Sequence, residues 1–285
     1  MEILGHGHDG IVVADTPDTV QKFYVSETEA TKEQTSLAFL EEMQGQDFNI
    51  GCTIPKLLEV LGRGEWVIDG KAYTYSNRME RVPGTCARLA ITSFTEQQIE
   101  ALGQALGTIG FTMHSQSQAH IDTYKARFGA DDSLLTDIVK VQAAQVLHEE
   151  SDQGVAKRVK IAADHLQKQC RLFAAKNTLS HLDFTLSNTQ IDDKARVTGI
   201  VDWGGFGLTH PSLSLYQLAI YPVWPHVKRQ YERQGVMIRE DIVYAAGAIH
   251  VAWTPLICKQ LGLSLAAEGP LEHFDVMYDR FEAQL

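Results

Sequence analysis

The hydrophobic rhythm of the chain changes once, at Pro83 and Gly84 in "RVPG". Before that break, "ILGHGHDGIVVADTPDTVQKFYV" reads as strand, glycine turn, strand "GIVVA", a Thr-Pro-Asp turn and strand "VQKFYV", and further strands are expected near "KLLEVLG" and "AYTYSNRM". One helix interrupts them. Ser26 with Glu29 forms a capping box, and Ala30, Leu37, Leu40 and Met43 follow at helical spacing until Gly45. After the break, Thr95 and Gln98 form a second capping box, and Ile99, Leu102, Leu106, Ile109 and Met113 mark a long amphipathic helix. Helical patterning continues around 133–150, 154–175, 212–220 and 239–260. These rhythms predict an α+β chain of two lobes. Residues 1–82 form a small antiparallel β-sheet lobe with one helix, and residues 83–285 a larger, mainly helical lobe.

The second lobe has one exception, "HLDFTLSNTQIDDKARVTGIVDWGG", residues 181–205. "NTQI" and "RVTGIVDW" flank "DDKA" as strand, turn and strand. His181, Asp183, Asn188 and Asp202 sit at fixed places around this hairpin. An Asp and an Asn five residues apart can face each other across a tight loop, and an Asp ending the second strand returns to the mouth of that loop. Asn188 and Asp202 then offer hard oxygen ligands suited to Mg²⁺, which takes few protein ligands and keeps positions for phosphate oxygens. Asp183 is left to accept a proton from, or orient, an attacking hydroxyl. His181 is better placed to hold the loop's backbone.

A site for metal and phosphate needs something to hold the rest of a nucleotide. "GHGHDGIV" supplies Gly5, Gly7 and Gly10 in a G-x-G-x-x-G spacing that lets backbone approach phosphates. A strand follows it instead of a long helix, and no acidic residue closes a second strand about twenty residues on, so the dinucleotide-binding fold is excluded. A phosphate-covering flap between two strands fits. Lys22, in the apolar strand "VQKFYV", either runs to solvent or points into a cleft with a carboxylate partner. Glu33 on the following helix is one candidate partner and Glu29 another.

Composition narrows the partners. With 25 Lys and Arg against 36 Asp and Glu, the net charge is −11, which disfavours nucleic acid and anionic membranes. The sequence shows no apolar run of membrane-spanning length, and "MEILGHGHDG" lacks the features of a secretory signal, so a cytoplasmic location is expected. The four cysteines, Cys52, Cys86, Cys170 and Cys258, are too scattered for a disulfide framework. Nothing in the sequence sets the oligomeric state.

In order along the chain, "GHGHDGIV", "VQKFY", "EQTSLAFL", "NRMERVPG", "ALGTIGFTMHS", "HLDFTLSN" and "GIVDW" resemble the aminoglycoside phosphotransferase and choline kinase-like family, a branch of the protein-kinase-like fold. The resemblance implies Asp183 as catalytic base, Asn188 and Asp202 as Mg²⁺ ligands, and Lys22 paired with Glu33 at the phosphates of ATP or GTP. It places the hinge that receives the nucleobase at Met79 and Glu80. The acceptor would be a hydroxyl of a small, cationic molecule such as an aminoglycoside. The alternatives are a metabolite kinase of the choline, homoserine or sugar type, or a kinase-like nucleotide sensor without transfer. The chain departs from the family at Leu182, at His210, and at Ser214, where an Asp commonly anchors the catalytic loop.

Overall fold

The computed structural model describes residues 2–6, 10–45, 48–129, 133–173, 177–260 and 270–285. Strands β1 (Ile3–His6), β2 (Gly10–Ala14) and β3 (Thr19–Tyr24) lead into helix α1 (Glu27–Gln44), and the long strands β4 (Leu57–Ile68) and β5 (Lys71–Glu80) follow. The five pair antiparallel in the order β1-β2-β3-β5-β4. Ser26 caps α1 by accepting the Glu29 N–H and Gly45 ends it, but the capping box is half made, since the Glu29 carboxylate turns to Lys32 and not to the Ser26 N–H. Short segments β6 (Thr85–Cys86) and α2 (Ala87–Ala90) precede α3 (Glu96–His114), whose start is closed by reciprocal Thr95 and Gln98 hydrogen bonds.

Beyond α3 come α4 (Gln118–Phe128), α5 (Ser133–Thr136), a π-helical segment (Asp137–Gln142), α6 (Ala143–Glu149) and α7 (Gln153–Phe173). The polar stretch then supplies β7 (Thr178–His181), β8 (Thr189–Ile191), β9 (Val197–Ile200) and β10 (Phe206–Thr209). Helices α8 (Pro211–Ser214), α9 (Trp224–Arg233), α10 (Glu240–Gln260) and α11 (Pro270–Glu282) complete the described chain.

The chain folds into two units, Met1–Leu102 with Thr185–Phe206, and Gly103–Phe184 with Gly207–Leu285. The rhythm breaks at Pro83, yet the first unit runs on to Leu102 and takes back the β8–β9 hairpin. Strand pairing is the reason. Thr85 and Cys86 of β6 pair with Ile191 and Gln190 of β8, and Thr53 bridges to Gly199 of β9. A Cβ on Gly199 would lie 2.5 Å from the Thr53 carbonyl oxygen, so only glycine lets these backbones meet.

In the first unit, Ile11, Val13, Phe23, Ile68 and Tyr73 form a cluster on the sheet, with Trp66 edge-on to Phe23. The second unit is built around α10, buried from Asp241 to Ala252 except for half-buried His250, and packed against α7 and α11. Among the described residues α10 alone is long and apolar enough to cross a membrane, but 61% of its apolar window lies inside the protein.

Candidate active site

In the first unit β3 and α1 bring a lysine and a glutamate together below the surface. Alternation along β3 puts Lys22 on the same side as Val20 and Tyr24, and α1 presents Glu33 on the stripe that carries Ala30 and Leu37. Lys22 is 8% exposed and Glu33 1% exposed, and Nζ donates to Glu33 Oε2 at 2.7 Å. Glu29 lies in the first turn of α1, where Ser26 caps its N–H, and its carboxylate pairs with Lys32 instead.

The same ammonium donates to Asp202 Oδ1, also at 2.7 Å. Tyr24 donates its hydroxyl to Glu33, Asn77 donates to Tyr24, and Gln34 donates to Asn77, so the pair sits inside a continuous polar network. Burial alone would lower the Lys22 pKa. Glu33 first, and Asp202 second, outweigh it and hold the ammonium well above the ordinary lysine value. Burial and Glu33 likewise push the Tyr24 hydroxyl upward.

Asp202 has φ 65° and ψ 58°, the left-handed region, at a cost of about 1–3 kcal/mol for a residue with a Cβ. Its neighbours fix it there. Trp203 is buried and donates Nε1–H to the Ile200 carbonyl, Phe206 packs on Trp203 and on Phe39 of α1, and Gly204 lies against Glu33. The Asp202 side chain stays 44% exposed.

Asn188 ends the 3₁₀ turn before β8. Thr189 pairs with Ile200, and the next step joins the Asn188 carbonyl to the Val201 N–H at 2.9 Å, so Asn188 and Asp202 come to the same end of the hairpin. The donor set is one amide oxygen and one carboxylate. It fits Mg²⁺, which takes one or two protein oxygens and completes its shell with water and phosphate. Among the described residues no cluster of three or more His, Cys, Asp or Glu is placed to form an all-protein metal cage.

Of the glycines, Gly7 lies outside the described residues. Gly5 is in β1 beside a bulge, with open space where a side chain would go, whereas a Cβ on Gly10 would strike the Phe23 carbonyl oxygen. Gly10 thus has a packing reason to be glycine. Met79 and Glu80 close β5, paired with Val20 and Thr19. The Glu80 N–H donates to the Lys56 carbonyl and the Arg81 N–H to that of Asp18. A nucleobase at this place would have to be met by other backbone groups.

Asp183 belongs to the second unit, just after β7. Its N–H donates to Nδ1 of fully buried His181, closing the loop locally. Its carboxylate accepts a hydrogen bond at 2.5 Å from Nε2 of Gln217, a residue that motif reading misses because the contact is 34 positions away. Ser214 and His210 have other tasks. Ser214 bonds His114 Nε2 at 2.9 Å, with Tyr231 on the other ring nitrogen at 2.8 Å. His210 caps α8 by accepting the Ser212 N–H on Nδ1, the service a short carboxylate gives elsewhere.

Solved structures with the same fold share little sequence with the chain. The GDP and kanamycin complex of APH(2")-IIia superposes with a TM-score of 0.71 at 12% identity, covering 100% of this chain and 93% of that one. The streptomycin-ATP-APH(2")-IIa ternary complex gives 0.59 at 14% identity, covering 98% and 92%. A thermostable mutant of aminoglycoside phosphotransferase APH(4)-Ia, in ternary complex with AMP-PNP and hygromycin B, gives 0.62 at 14% identity, covering 99% and 92%. No curated protein matches the sequence.

The architecture is therefore α+β and protein-kinase-like, with an antiparallel sheet in the N-terminal part and a helical remainder. The chain belongs to the phosphotransferase enzyme family, whose model matches residues 16–245. It is a small-molecule phosphotransferase with an alcohol group as acceptor.

Proposed function

We propose that this chain moves the γ-phosphoryl group of ATP or GTP to a hydroxyl of a cationic small molecule of the aminoglycoside kind, as a cytoplasmic enzyme. The observation that carries the reading is the buried Lys22 ammonium, held at 2.7 Å from both Glu33 and Asp202. A lysine fixed in this way presents a permanent positive charge to phosphates without searching rotamers. Asn188 and Asp202 would hold Mg²⁺, which when bound offsets the charge on the phosphate oxygens. The strand at Gly5 brings backbone toward the phosphates, and the strand end at Met79 and Glu80 lies beside the base. Asp183 takes the proton of the acceptor hydroxyl.

The acceptor class rests on two supports. The chain carries a net charge of −11, and the similar structures hold kanamycin, streptomycin and hygromycin B. The test is transfer of labelled γ-phosphate from Mg-ATP and Mg-GTP to a panel of aminoglycosides, macrolides, choline, amino alcohols and sugars, with Asp183→Asn as the blank. A labelled aminoglycoside absent from the blank is the expected result. A product from choline or a sugar instead would move the acceptor class, and equal product from the blank would remove Asp183 from its role.

A further inference from the structure

The Asp183 carboxylate is held from the side by a neutral amide. Gln217 Nε2 donates one N–H to Asp183 Oδ1 at 2.5 Å and the other to the Tyr216 hydroxyl at 3.0 Å. Both donors of the amide are thereby committed. A flipped amide would aim its carbonyl oxygen at a carboxylate oxygen, so the chemistry admits one orientation only. Tyr216 is itself buried, stacks edge-on with His250, and has its hydroxyl 3.5 Å from His250 Nδ1. His250 Nδ1 lies 3.3 Å from Gln142 Oε1, and Gln142 donates to Asp137 on the π-helical segment. The titratable groups behind this contact are thus Tyr216, His250 and Asp137. Burial pushes the Tyr216 hydroxyl up, with Asp183 adding to the effect. Burial also lowers His250, outweighing the opposite pull of Asp183 and Asp137. Gln217 and the two groups that stand directly behind it, Tyr216 and His250, are therefore neutral.

We infer that Gln217 is a positioning residue for transfer: its amide, locked by Tyr216, fixes the rotation of the Asp183 carboxylate toward the acceptor hydroxyl without neutralising it. The inference rests on Asp183 being the base proposed above. A lysine or arginine in the same place would hold the carboxylate as firmly but stabilise its charge and weaken it as a proton acceptor. A neutral amide orients the carboxylate while stabilising its charge less than a cation would. The departure of this chain from its family at Ser214 is relevant: Ser214 is occupied with His114, and the side chain that reaches Asp183 comes from three residues further on.

The test compares the full-length chain with Gln217→Met, which keeps the shape and removes the donors, and Gln217→Glu, which replaces the amide with an ionisable group. Gln217→Met is expected to lower kcat about ten- to a hundredfold with the nucleotide KM within about twofold, the signature of a misoriented group and not of a lost binding site. Gln217→Glu is expected to work only on the acidic side, where the introduced carboxylate and that of Asp183 share one proton, and to fail as pH rises and both ionise, whereas the unaltered chain keeps its activity as pH rises. A structural role alone would not invert the profile. The NMR chemical shift of the Asp183 carboxyl carbon, assigned with Asp183→Asn and read at one fixed pH, should change in Gln217→Met, because the hydrogen bond on that carboxylate is gone. If Gln217→Met fails to fold, Tyr216→Phe removes only the lock and should lower kcat by a smaller factor, again at constant nucleotide KM. Folded variants with unaltered kcat and pH profile would overturn the inference and leave the proposed function standing. No transfer by the unaltered chain would overturn the function, and the chemical shift would then decide the contact alone: an unmoved Asp183 resonance in Gln217→Met removes it.

Discussion

Lys22 and Asp202 stand 180 positions apart in sequence and 2.7 Å apart in space, and the same lysine holds Glu33 at an equal distance. One ammonium therefore answers two carboxylates, one deeply buried and one half open to solvent.

Removing the lysine alone should be costly. Lys22→Met leaves Glu33 buried without its cation, and the expected loss is about 3 kcal/mol of unfolding free energy at neutral pH. The double variant Lys22→Met/Glu33→Leu should lose less than that single one, because no charge is stranded. Urea denaturation of the variants checks this, and a double variant as weak as the sum of its parts would show that the two side chains do not act as a unit. The raised Lys22 pKa puts the associated pH dependence on the alkaline side: the contribution is complete below the ordinary lysine value and fades only above it.

The backbone at position 202 separates fold from ligand. Asp202→Gly removes the left-handed penalty and Asp202→Ala keeps it, so the glycine variant should be the more stable by about 1 kcal/mol. Both should lose Mg-dependent nucleotide retention to the same extent, since both lack the carboxylate. Thermal melts paired with equilibrium binding of labelled nucleotide read the two effects apart.

Gly5 and Gly10 should behave differently. Gly10→Ala drives a methyl group into the Phe23 carbonyl and should lower stability by more than about 1 kcal/mol whether or not nucleotide is present. Gly5→Ala meets open space, so its stability should be unchanged and any effect should show in nucleotide affinity alone. Calorimetric melts with and without Mg-ATP distinguish them.

His114 gives the acid side of the stability profile. Burial, with a smaller push from His210, lowers its pKa from 6.5 to about 3, so the folded state holds it neutral. Its contribution is complete above the unfolded value of 6.5 and is lost as pH falls toward 3. His114→Gln should cost about 1–2 kcal/mol at pH 7 and flatten the dependence of stability on pH over that interval. Denaturation midpoints between pH 7 and pH 4 measure it.

What could be read in the sequence was whatever is local. The strands of the first sheet, the Thr95–Gln98 capping box, the Ser26 half of the first one, and the amphipathic face of α3 follow from spacing within one element, and the structure shows each. The Lys22–Glu33 pair was within reach because β3 and α1 adjoin in sequence; the rhythm named two glutamates, and only the helical stripe through Ala30 and Leu37 distinguishes Glu33. Helices α4, α9 and α11 were not singled out. Helix α9 carries a regular buried stripe, Trp224, Val227 and Tyr231, and its spacing was there to be read. The Gln217 contact and the second carboxylate on Lys22 depend on loops closing across 34 and 180 positions, and no periodicity within an element encodes that.

The return of Thr185–Phe206 to the first unit also constrains how the chain is made. A nascent polypeptide that has released only Met1–Leu102 carries Lys22 and Glu33 but neither Asp202 nor the partner strand of β6. Its N-terminal unit cannot reach its final form before Gly103–Phe184, about half of the other unit, has been synthesised. Vectorial emergence, which lets many proteins settle their first lobe early, is of little use here. Lys22 can meet Asp202 only once translation has passed residue 202, so chains interrupted before it hold the Lys22–Glu33 pair without its second carboxylate.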